Sequence, residues 1–446
     1  MNKSSTEFSP LVVPDGEAEN LGAALEKGLA RLGETLDLEE TARQSGALTR
    51  HRGVRSARDL LRIVLGYSVC DWSLRLLGVW CVLLGLSTIS KTALRQHLRQ
   101  CRGWLGLLIG YTLKQQRVQF PAAAPLRVKV IDASVICQPG SHGTDWRVHL
   151  GFDLNRACLD QIELTDGHGG ESLARFTLTP GELCLADRGY AVRSSLGPVL
   201  AAGAWLLIRV GWLKLPFEDA QAHAFDLIGW LKQADLTPGA SPQEVAVWVQ
   251  TPQGRFPLRL VAQAIPVTAA EEARRRLRKD ARKHHRTADA RSLFAAGFVL
   301  LITNLPATPW GAPQVLQLYR FRWQVELAFK RLKSILHLDH LRARDPELAQ
   351  VYLLAKLLAA LLVDHLQLAF ATRCPDVFTT ATRPVSLWRL THLLWDELRS
   401  LLCGPITLQL IGDRFPLLGR FLCDEPRQRV SQRAQVQKTF SGLCGC

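Results

Sequence analysis

The segment Leu126-Arg-Val-Lys-Val-Ile-Asp-Ala-Ser-Val-Ile136 is a run of branched apolar residues that carries one carboxylate, Asp132, at its centre. Branched apolar residues in so short a run favour a buried strand. Two further apolar runs, Trp146–Asp153 and Asp160–Thr165, follow it along the chain. The sequence therefore predicts a three-stranded meander that begins with the strand bearing Asp132.

After the meander, strand-like runs alternate with segments of helical pattern. This alternation predicts an α/β fold with a mixed sheet flanked by helices. The expected order is a helix at Gly170–Phe176, a strand at Glu182–Ala186, a helix at Ser194–Ala202 and a strand at Trp205–Val210.

The pattern loosens between residues 211 and 297, where two strand-like runs predict a β-rich insertion subdomain. These runs are Glu244–Gln250 and Phe256–Gln263. Beyond the insertion we expect a strand at Phe298–Asn304, one long helix at Ala312–Leu336, and covering helices from Glu347 to Leu402. The predicted division is a flexible leader (1–20), a helical domain (21–120), the two parts of the core (126–210 and 298–402), the insertion (211–297) and a C-terminal tail (403–446).

The chain is basic, with a net charge of +15 and a pI of about 9.6. Such an excess favours a polyanionic partner, although a soluble basic protein without one shares it. Between Arg274 and Arg286 a helical segment carries eight basic residues and one Asp. A solvated surface is the ordinary interpretation of a charged helix, but this one-sided excess favours contact with DNA phosphates through Arg275, Arg278 and Arg282.

The predicted helical domain contains a second basic surface. Ser73 to Gly85 is one helical pattern, and Ser90 can cap a following helix over Lys91–Cys101, a spacing that permits a helix-turn-helix. The second helix would present Lys91, Arg95, Gln96, Arg99 and Gln100 to DNA. A plain helical bundle has the same pattern, so both interpretations stay open.

Eleven cysteines without a CxxC pair indicate reduced thiols and a cytoplasmic location. The longest apolar stretch, Leu353–Phe370, contains Lys356, Asp364 and His365, which predicts a buried helix and no membrane span.

Two carboxylates fall in predicted strands. Asp132 lies within a strand that should be buried, where an uncompensated charge costs several kcal/mol. Asp187 ends the run Leu183-Cys-Leu-Ala-Asp-Arg-Gly-Tyr190, just before a Gly that allows a sharp turn. Taken singly, each Asp could be a cap or a ligand.

A third carboxylate lies on the predicted helix Leu318–Leu336. At about 100° per residue, one sector of that helix contains Tyr319, Arg322, Trp323, Glu326, Lys330 and Lys333. Another flank contains Leu318, Phe321, Val325, Phe329, Leu332 and Leu336. A single acid among aromatic and basic residues is unlike a solvated face, which mixes both charge signs.

Three carboxylates in this arrangement can hold two divalent metals about 4 Å apart. Mg²⁺ suits an oxygen-only site, and Mn²⁺ can substitute for it. Arg322, Lys330 and Lys333 would bind phosphates, and Trp323 or Tyr319 could stack on a displaced base. Asp166, His168 and Glu171, and the pair His284-His285, superficially resemble metal sites; we interpret neither as one.

The spacing Tyr319-x2-Arg322-x3-Glu326-x6-Lys333 resembles the YREK signature of the insertion sequence 4 family of bacterial DDE transposases. Ile131-Asp-Ala-Ser134 and Ala186-Asp-Arg-Gly-Tyr190 resemble the Asp motifs of that family, in the same order. The resemblance spans roughly residues 40–400. It implies an RNase-H-like catalytic domain in which Asp132, Asp187 and Glu326 bind metal, with a β-rich insertion before the last catalytic helix.

The same resemblance implies that Tyr319, Arg322, Lys330 and Lys333 contact DNA at the element ends. It implies cut-and-paste transposition with two Mg²⁺ ions, double-stranded DNA as terminal inverted repeats and target, and a homodimer in the synaptic complex. A bacterial, nucleoid-associated protein is expected. Phe298 stands where some relatives carry a Trp that holds a flipped base, so the excision route stays open.

Two other functions are compatible with these motifs. A catalytically silent DNA-binding inhibitor from a decayed element would keep the fold, although its carboxylates need not be intact. An RNase-H-like structure-specific nuclease would keep the three carboxylates without needing to join strands.

Overall fold

The computed structural model describes residues 36–49, 53–119, 126–141, 143–234, 236–373 and 385–422. The predicted leader (1–20) lies outside these ranges, as do residues 21–35 of the predicted helical domain and residues 423–446 of the predicted tail.

Helices dominate both ends of the described chain. At the N-terminal end they are α1 (Leu38–Gln44), α2 (Ala57–Val69), α3 (Leu74–Leu83) and α4 (Lys91–Gln119). The central helices are α5 (Arg193–Ala201), α6 (Leu227–Gln233), α7 (Val267–Lys283) and α8 (Ala290–Ala295). The C-terminal helices are α9 (Ala312–Arg320), α10 (Trp323–Ser334), α11 (Pro346–Arg373), α12 (Leu387–Cys403) and α13 (Leu408–Leu422).

Within the described residues, one mixed sheet has the strand order β3-β2-β1-β4-β5-β8-β7-β6. Its strands are β1 (Val128–Ile136), β2 (Trp146–Asp153), β3 (Cys158–Asp166), β4 (Leu183–Ala186), β5 (Trp205–Arg209), β6 (Gln243–Thr251), β7 (Gly254–Ala264) and β8 (Phe298–Thr303). The meander β1-β2-β3 is antiparallel, whereas β4 and β5 run parallel to β1. The predicted meander and the mixed α/β sheet are therefore confirmed.

The two strands of the predicted insertion do not form a sheet of their own. Strands β6 and β7 pair with each other, and β7 pairs with β8, which in turn pairs with β5. The hairpin thus extends the central sheet, because the backbone of β8 offers a second edge for pairing. Residues 170–176, predicted as a helix, contain only a short 3₁₀ turn at Leu173–Arg175.

Helix α4 is much longer than the helix predicted over Lys91–Cys101. Its start agrees, because the Ser90 hydroxyl accepts the Ala93 N–H at 3.2 Å. It continues to Gln119 because buried apolar residues recur at helical spacing beyond Cys101, namely at Trp104, Leu105 and Leu108. Helix α4 is therefore a core helix with one basic edge.

Helix α11 is long and apolar enough to cross a membrane by length and composition alone. In this fold it packs against α2, α4 and α12, and 61% of its most apolar window is buried. Its Lys356 is fully buried and binds Asp71 across 3.1 Å. These contacts identify α11 as a buried helix of the core, and a buried helix is what the sequence predicts for Leu353–Phe370.

The last described helix, α13, falls in the segment that the sequence assigns to a tail. Its Leu418 and Phe421 are buried against Val82 and Leu83 of α3. The beginning of the predicted tail is therefore packed on the N-terminal helices.

Candidate active site

Two strand carboxylates lie side by side in the middle of the sheet. In the parallel pair β1 and β4, Ile131 is opposite Ala186, so the next residues, Asp132 and Asp187, are neighbours. Asp187 immediately follows the last residue of β4 and begins the 3₁₀ turn Arg188–Tyr190. The ends of adjacent parallel strands are where α/β folds commonly hold functional groups.

The Asp132 carboxyl is half-buried in a negatively charged environment. Its pKa is raised to about 6, first by burial, and the carboxylates of Asp187 and Glu171 act in the same direction. The Ala133 N–H, at 2.8 Å from Oδ1, and the Arg322 guanidinium oppose this shift. Burial and the neighbouring carboxylates thus destabilise the charged form of Asp132, and a bound cation would stabilise it.

The prediction of one continuous helix over Ala312–Leu336 is wrong, because two helices, α9 and α10, meet at Phe321 and Arg322. The N–H groups of Phe321, Arg322 and Gln324 bond three residues back, which tightens the turn locally. The backbone of Phe321 and Arg322 stays in the right-handed helical region, so the apolar spacing carries no sign of the break. Phe321, predicted in the core, is 47% exposed at this junction.

Glu326 lies in the first turn of α10, the helix that packs on β1. Its carboxylate forms an ion pair with Arg322, one turn earlier. Val325, Phe329 and Leu332 of the same helix are buried, as the predicted apolar flank requires. The sheet and α10 therefore present Asp132 and Glu326 to a common space.

That space is an open cleft of about 460 Å³. Its lining includes Asp132, Ser134, Glu326, Lys330 and Lys333. It combines three acidic groups, Asp132, Glu326 and Asp339, with two basic groups that could bind a phosphate. Among the described residues, no three His, Cys, Asp or Glu side chains converge closely enough to hold a metal ion. In this conformation Glu326 is directed to Arg322 instead.

The transposase DDE domain family matches residues 124–362, which is more than half of the chain and includes all three predicted catalytic carboxylates. The chain belongs to the DDE transposases. It is thus an enzyme that acts on DNA and takes part in transposition.

Curated relatives of this transposase agree with the family match. It is 39% identical over 345 residues to the transposase for insertion sequence element IS421 of Escherichia coli, covering 76% of this chain and 92% of that protein. It is 24% identical over 270 residues to the transposase for IS231F of Bacillus thuringiensis subsp. israelensis, covering 53% and 55%. A cryo-EM structure of a piggyBac transposase synaptic complex with hairpin DNA overlaps with 95% of this chain and 90% of that one. The TM-score of this overlap is 0.45 at 11% identity, and such a TM-score does not assign a fold.

The aromatic residues of the signature segment fall into two classes in the transposase. Trp323 is 57% exposed at the start of α10, as a base-stacking residue would need to be. The Tyr319 hydroxyl is buried near Asp187, and burial, with that carboxylate, raises the pKa of Tyr319. It has no hydrogen-bond partner of good geometry within the described part of the chain.

Two of the predicted DNA-binding arginines of α4 are bound within the protein. Arg95 and Arg99 both form ion pairs with Oδ2 of Asp345, and Arg99 also contacts Glu347 at 3.0 Å. Lys91 is exposed at the start of the same helix. These pairs could not be predicted from local pattern, because about 250 residues separate the arginines from Asp345.

The remaining predicted DNA contacts lie away from the two strand carboxylates. Arg275, Arg278 and Arg282 are exposed on α7, which follows β7, a strand separated from β4 by β5 and β8. Phe298 is half-buried at the start of β8, with its ring 5.2 Å from that of Phe294. The structure does not bring these four residues to the cleft beside Glu326.

Sequence reasoning missed two residues beside the strand carboxylates. Glu171, interpreted as part of a loop without a metal role, interacts electrostatically with Asp132. Tyr190 is buried, and burial together with Asp132 and Glu171 raises its pKa. Within the described chain, its hydroxyl has no hydrogen-bond partner. The one sequence signal was the position of Tyr190, three residues after Asp187.

Proposed function

We propose that this chain is the transposase of a bacterial insertion sequence of the insertion sequence 4 family. It would cut DNA at the terminal inverted repeats of the element and join the freed strands to target DNA. Two features support this assignment: the 39% identity to the transposase for IS421, and the spacing of Tyr319, Arg322, Glu326 and Lys333. The strand order β3-β2-β1-β4-β5 supports an RNase-H-like core.

The observation that carries the proposal is the adjacency of Asp187 to Asp132, which lines a cleft together with Glu326. We assign these three residues as the catalytic carboxylates. Half-buried acids side by side favour a compensating cation, and Lys330 and Lys333 of the cleft could bind a phosphate. The arrangement therefore suits a polyanionic substrate held at a cation-binding centre.

The residues fit divalent metal, and we propose two Mg²⁺ ions, for which Mn²⁺ can substitute. The donors are all oxygens, and burial with neighbouring carboxylates raises the pKa of Asp132 to about 6, a shift that bound cations would reverse. Asp132 and Asp187 would hold the ions, and Glu326 would join them after leaving Arg322. Such ions, when bound, activate an attacking oxygen and stabilise a leaving oxygen.

The chain's own side chains would hold and orient the DNA. Lys330 and Lys333 would bind backbone phosphates at the cleft, and Arg322 would turn to the same phosphate once Glu326 leaves it. Trp323 would stack on a base next to the cut. The buried Tyr319 hydroxyl lies near Asp187 and would donate a hydrogen bond in the assembled site.

More distant surfaces would bind the rest of the DNA. We assign Lys91, Arg95 and Arg99 of the helical domain, Arg275, Arg278 and Arg282 of the insertion, and Phe298 to this role. Pairing two element ends requires two active sites, which favours a homodimer in the synaptic complex. Double-stranded DNA as the substrate and bacterial relatives favour a cytoplasmic, nucleoid-associated protein.

The test is a strand-joining assay with the DNA that flanks the coding region of this chain. Purified protein, Mg²⁺ and labelled end duplexes are mixed with a supercoiled plasmid, and the products are separated on denaturing and native gels. We expect cleavage at the element ends and label joined to the plasmid. Cleavage without joining would favour a structure-specific nuclease, and specific binding without cleavage would favour a silent inhibitor.

A further inference from the structure

The loop between β3 and β4 carries a fourth carboxylate to the strand carboxylates. A Cβ added to Gly189, two residues after Asp187, would stand 2.0 Å from Glu171 Oε2. The Glu171 carboxylate therefore lies directly against the turn that follows Asp187. It also interacts electrostatically with Asp132 and with Tyr190. Glu171 thus faces the same centre as the two aspartates.

The loop that carries Glu171 is fixed by hydrogen bonds on both sides. Arg147 of β2 donates to the Gly169 carbonyl at 2.7 Å, and Arg175 donates to the Gly170 carbonyl at 2.9 Å. Directly after the loop, the Leu173 N–H bonds the Ser195 hydroxyl of α5 at 2.8 Å. The position of Glu171 is therefore set by the fold, although its side chain is accessible to water.

The centre between these acids also contains an unused donor. Tyr190 is 1% exposed, and its hydroxyl lacks a partner among the described residues, although Asp132 and Glu171 lie close enough to affect it. A buried hydroxyl without a partner loses free energy, so something else should accept or donate there. The neighbouring strand aspartates, Glu171 against the turn at Gly189 and an orphaned hydroxyl indicate a hydrated cation better than they indicate a salt bridge within the chain.

We propose that Glu171 is a positioning residue of the metal centre, which accepts hydrogen bonds from the water ligands of a divalent cation held by Asp132 and Asp187. Mg²⁺ gives up its water reluctantly and usually keeps several water ligands, so an acid that does not touch the ion can still hold it. This role fits the spacing of the acids, because no three of the described carboxylates converge into a direct metal cage. The inference rests on the proposed function.

The test measures Mn²⁺ binding to the full chain without DNA, by the electron paramagnetic resonance signal of free Mn²⁺. Glu171→Gln is expected to weaken binding about 10- to 100-fold, the usual effect of removing an outer-shell partner. Glu171→Asp retains the charge and should recover part of the loss. Gly189→Ala moves the carboxylate without removing it, and should give a smaller loss than Glu171→Gln. Thermal melting checks that each variant is folded.

The matched control is Asp166→Asn, which removes the same charge from the same loop. Its Oδ1, which accepts the His168 N–H at 3.0 Å, is replaced by an amide oxygen. We expect Asp166→Asn to bind Mn²⁺ within about twofold of the wild type, because its carboxylate is screened by water. Equal losses in Glu171→Gln and Asp166→Asn would overturn the role of Glu171.

Two further variants separate this inference from the proposed function. If Asp132→Asn and Asp187→Asn abolish Mn²⁺ binding while Glu171→Gln binds like the wild type, the metal site stands and the role of Glu171 is wrong. A wild type that binds no Mn²⁺, or that binds it equally well after both aspartate changes, would overturn the metal site and the role of Glu171 together.

Discussion

Replacing Asp345 with Asn should weaken the fold and strengthen DNA binding at the same time. Each carboxylate oxygen of Asp345 has a different role, one in capping a helix and one in ion pairs. Oδ1 accepts the N–H groups of Glu347 and Leu348 at 3.1 and 3.3 Å and so caps α11, whereas Oδ2 binds Arg95 and Arg99. Asn keeps the cap because it is as good a cap as Asp, but it removes the negative charge.

The structure limits the size of the stability change. The side chains of Arg95 and Arg99 are 48% and 32% exposed, so water screens both ion pairs. Exposed pairs contribute about 0.2–1 kcal/mol each, which gives an expected loss of about 0.5–2 kcal/mol for Asp345→Asn. The arginines hold the pKa of Asp345 at about 2, although burial opposes them. This contribution is therefore present above pH 4 and is lost as the pH falls towards 2.

DNA affinity should change in the opposite direction. In the wild type, DNA phosphates must compete with Asp345 for Arg95 and Arg99, and Asn offers no such competition. We expect about fivefold tighter binding of end DNA, which corresponds to about 1 kcal/mol. Fluorescence anisotropy at two salt concentrations measures the affinity, and urea denaturation measures the stability.

The control for Asp345→Asn is Glu40→Gln, which breaks an exposed ion pair with Arg43 on α1. It should lower stability slightly and leave DNA affinity unchanged. Unchanged or weaker DNA binding by Asp345→Asn would refute the reasoning, since the two arginines would then be purely structural.

Two other changes test separate parts of the molecule. Charge reversal at Arg275, Arg278 and Arg282 of α7 should flatten the dependence of log affinity on log salt by about 0.9 for each lost phosphate contact, and an unchanged slope would exclude α7 from the DNA interface. Lys356→Met should lower the free energy of unfolding by about 2 kcal/mol, less than the roughly 3–5 kcal/mol of a fully buried pair because Asp71 stays partly exposed. Burial lowers the pKa of Lys356 from 10.5 to about 8. The wild type should therefore gain stability relative to Lys356→Met as the pH rises from 8 to 10.5. Urea titrations at pH 7 and 9.5 measure this gain, and they would show none if the pKa were unshifted.

The features that follow from local pattern were predictable. The strand Trp146–Asp153 and the start of α4 at Lys91 were confirmed, because alternation and capping depend on neighbouring residues only. The junction at Phe321 was missed because the sequence around it contains no Gly or Pro that would mark a break. Phe321 and Arg322 also keep helical backbone angles.

What the sequence could not show depends on contacts between distant segments. The ion pairs of Arg95 and Arg99 join residues about 250 positions apart, and a periodic pattern carries no information on such partners. Glu171 was interpreted as part of a loop that only superficially resembles a metal site. Its meeting with Gly189 depends on the parallel pairing of β1 and β4, which only the folded sheet reveals.

The most direct test of the three-carboxylate centre is single-turnover cleavage of end DNA in Mg²⁺ by three isosteric variants. Asp132→Asn, Asp187→Asn and Glu326→Gln should each abolish cleavage while binding the same DNA, because each removes a cation ligand and leaves the basic groups intact. Cleavage at the wild-type rate by any one of them would contradict the assignment of that residue.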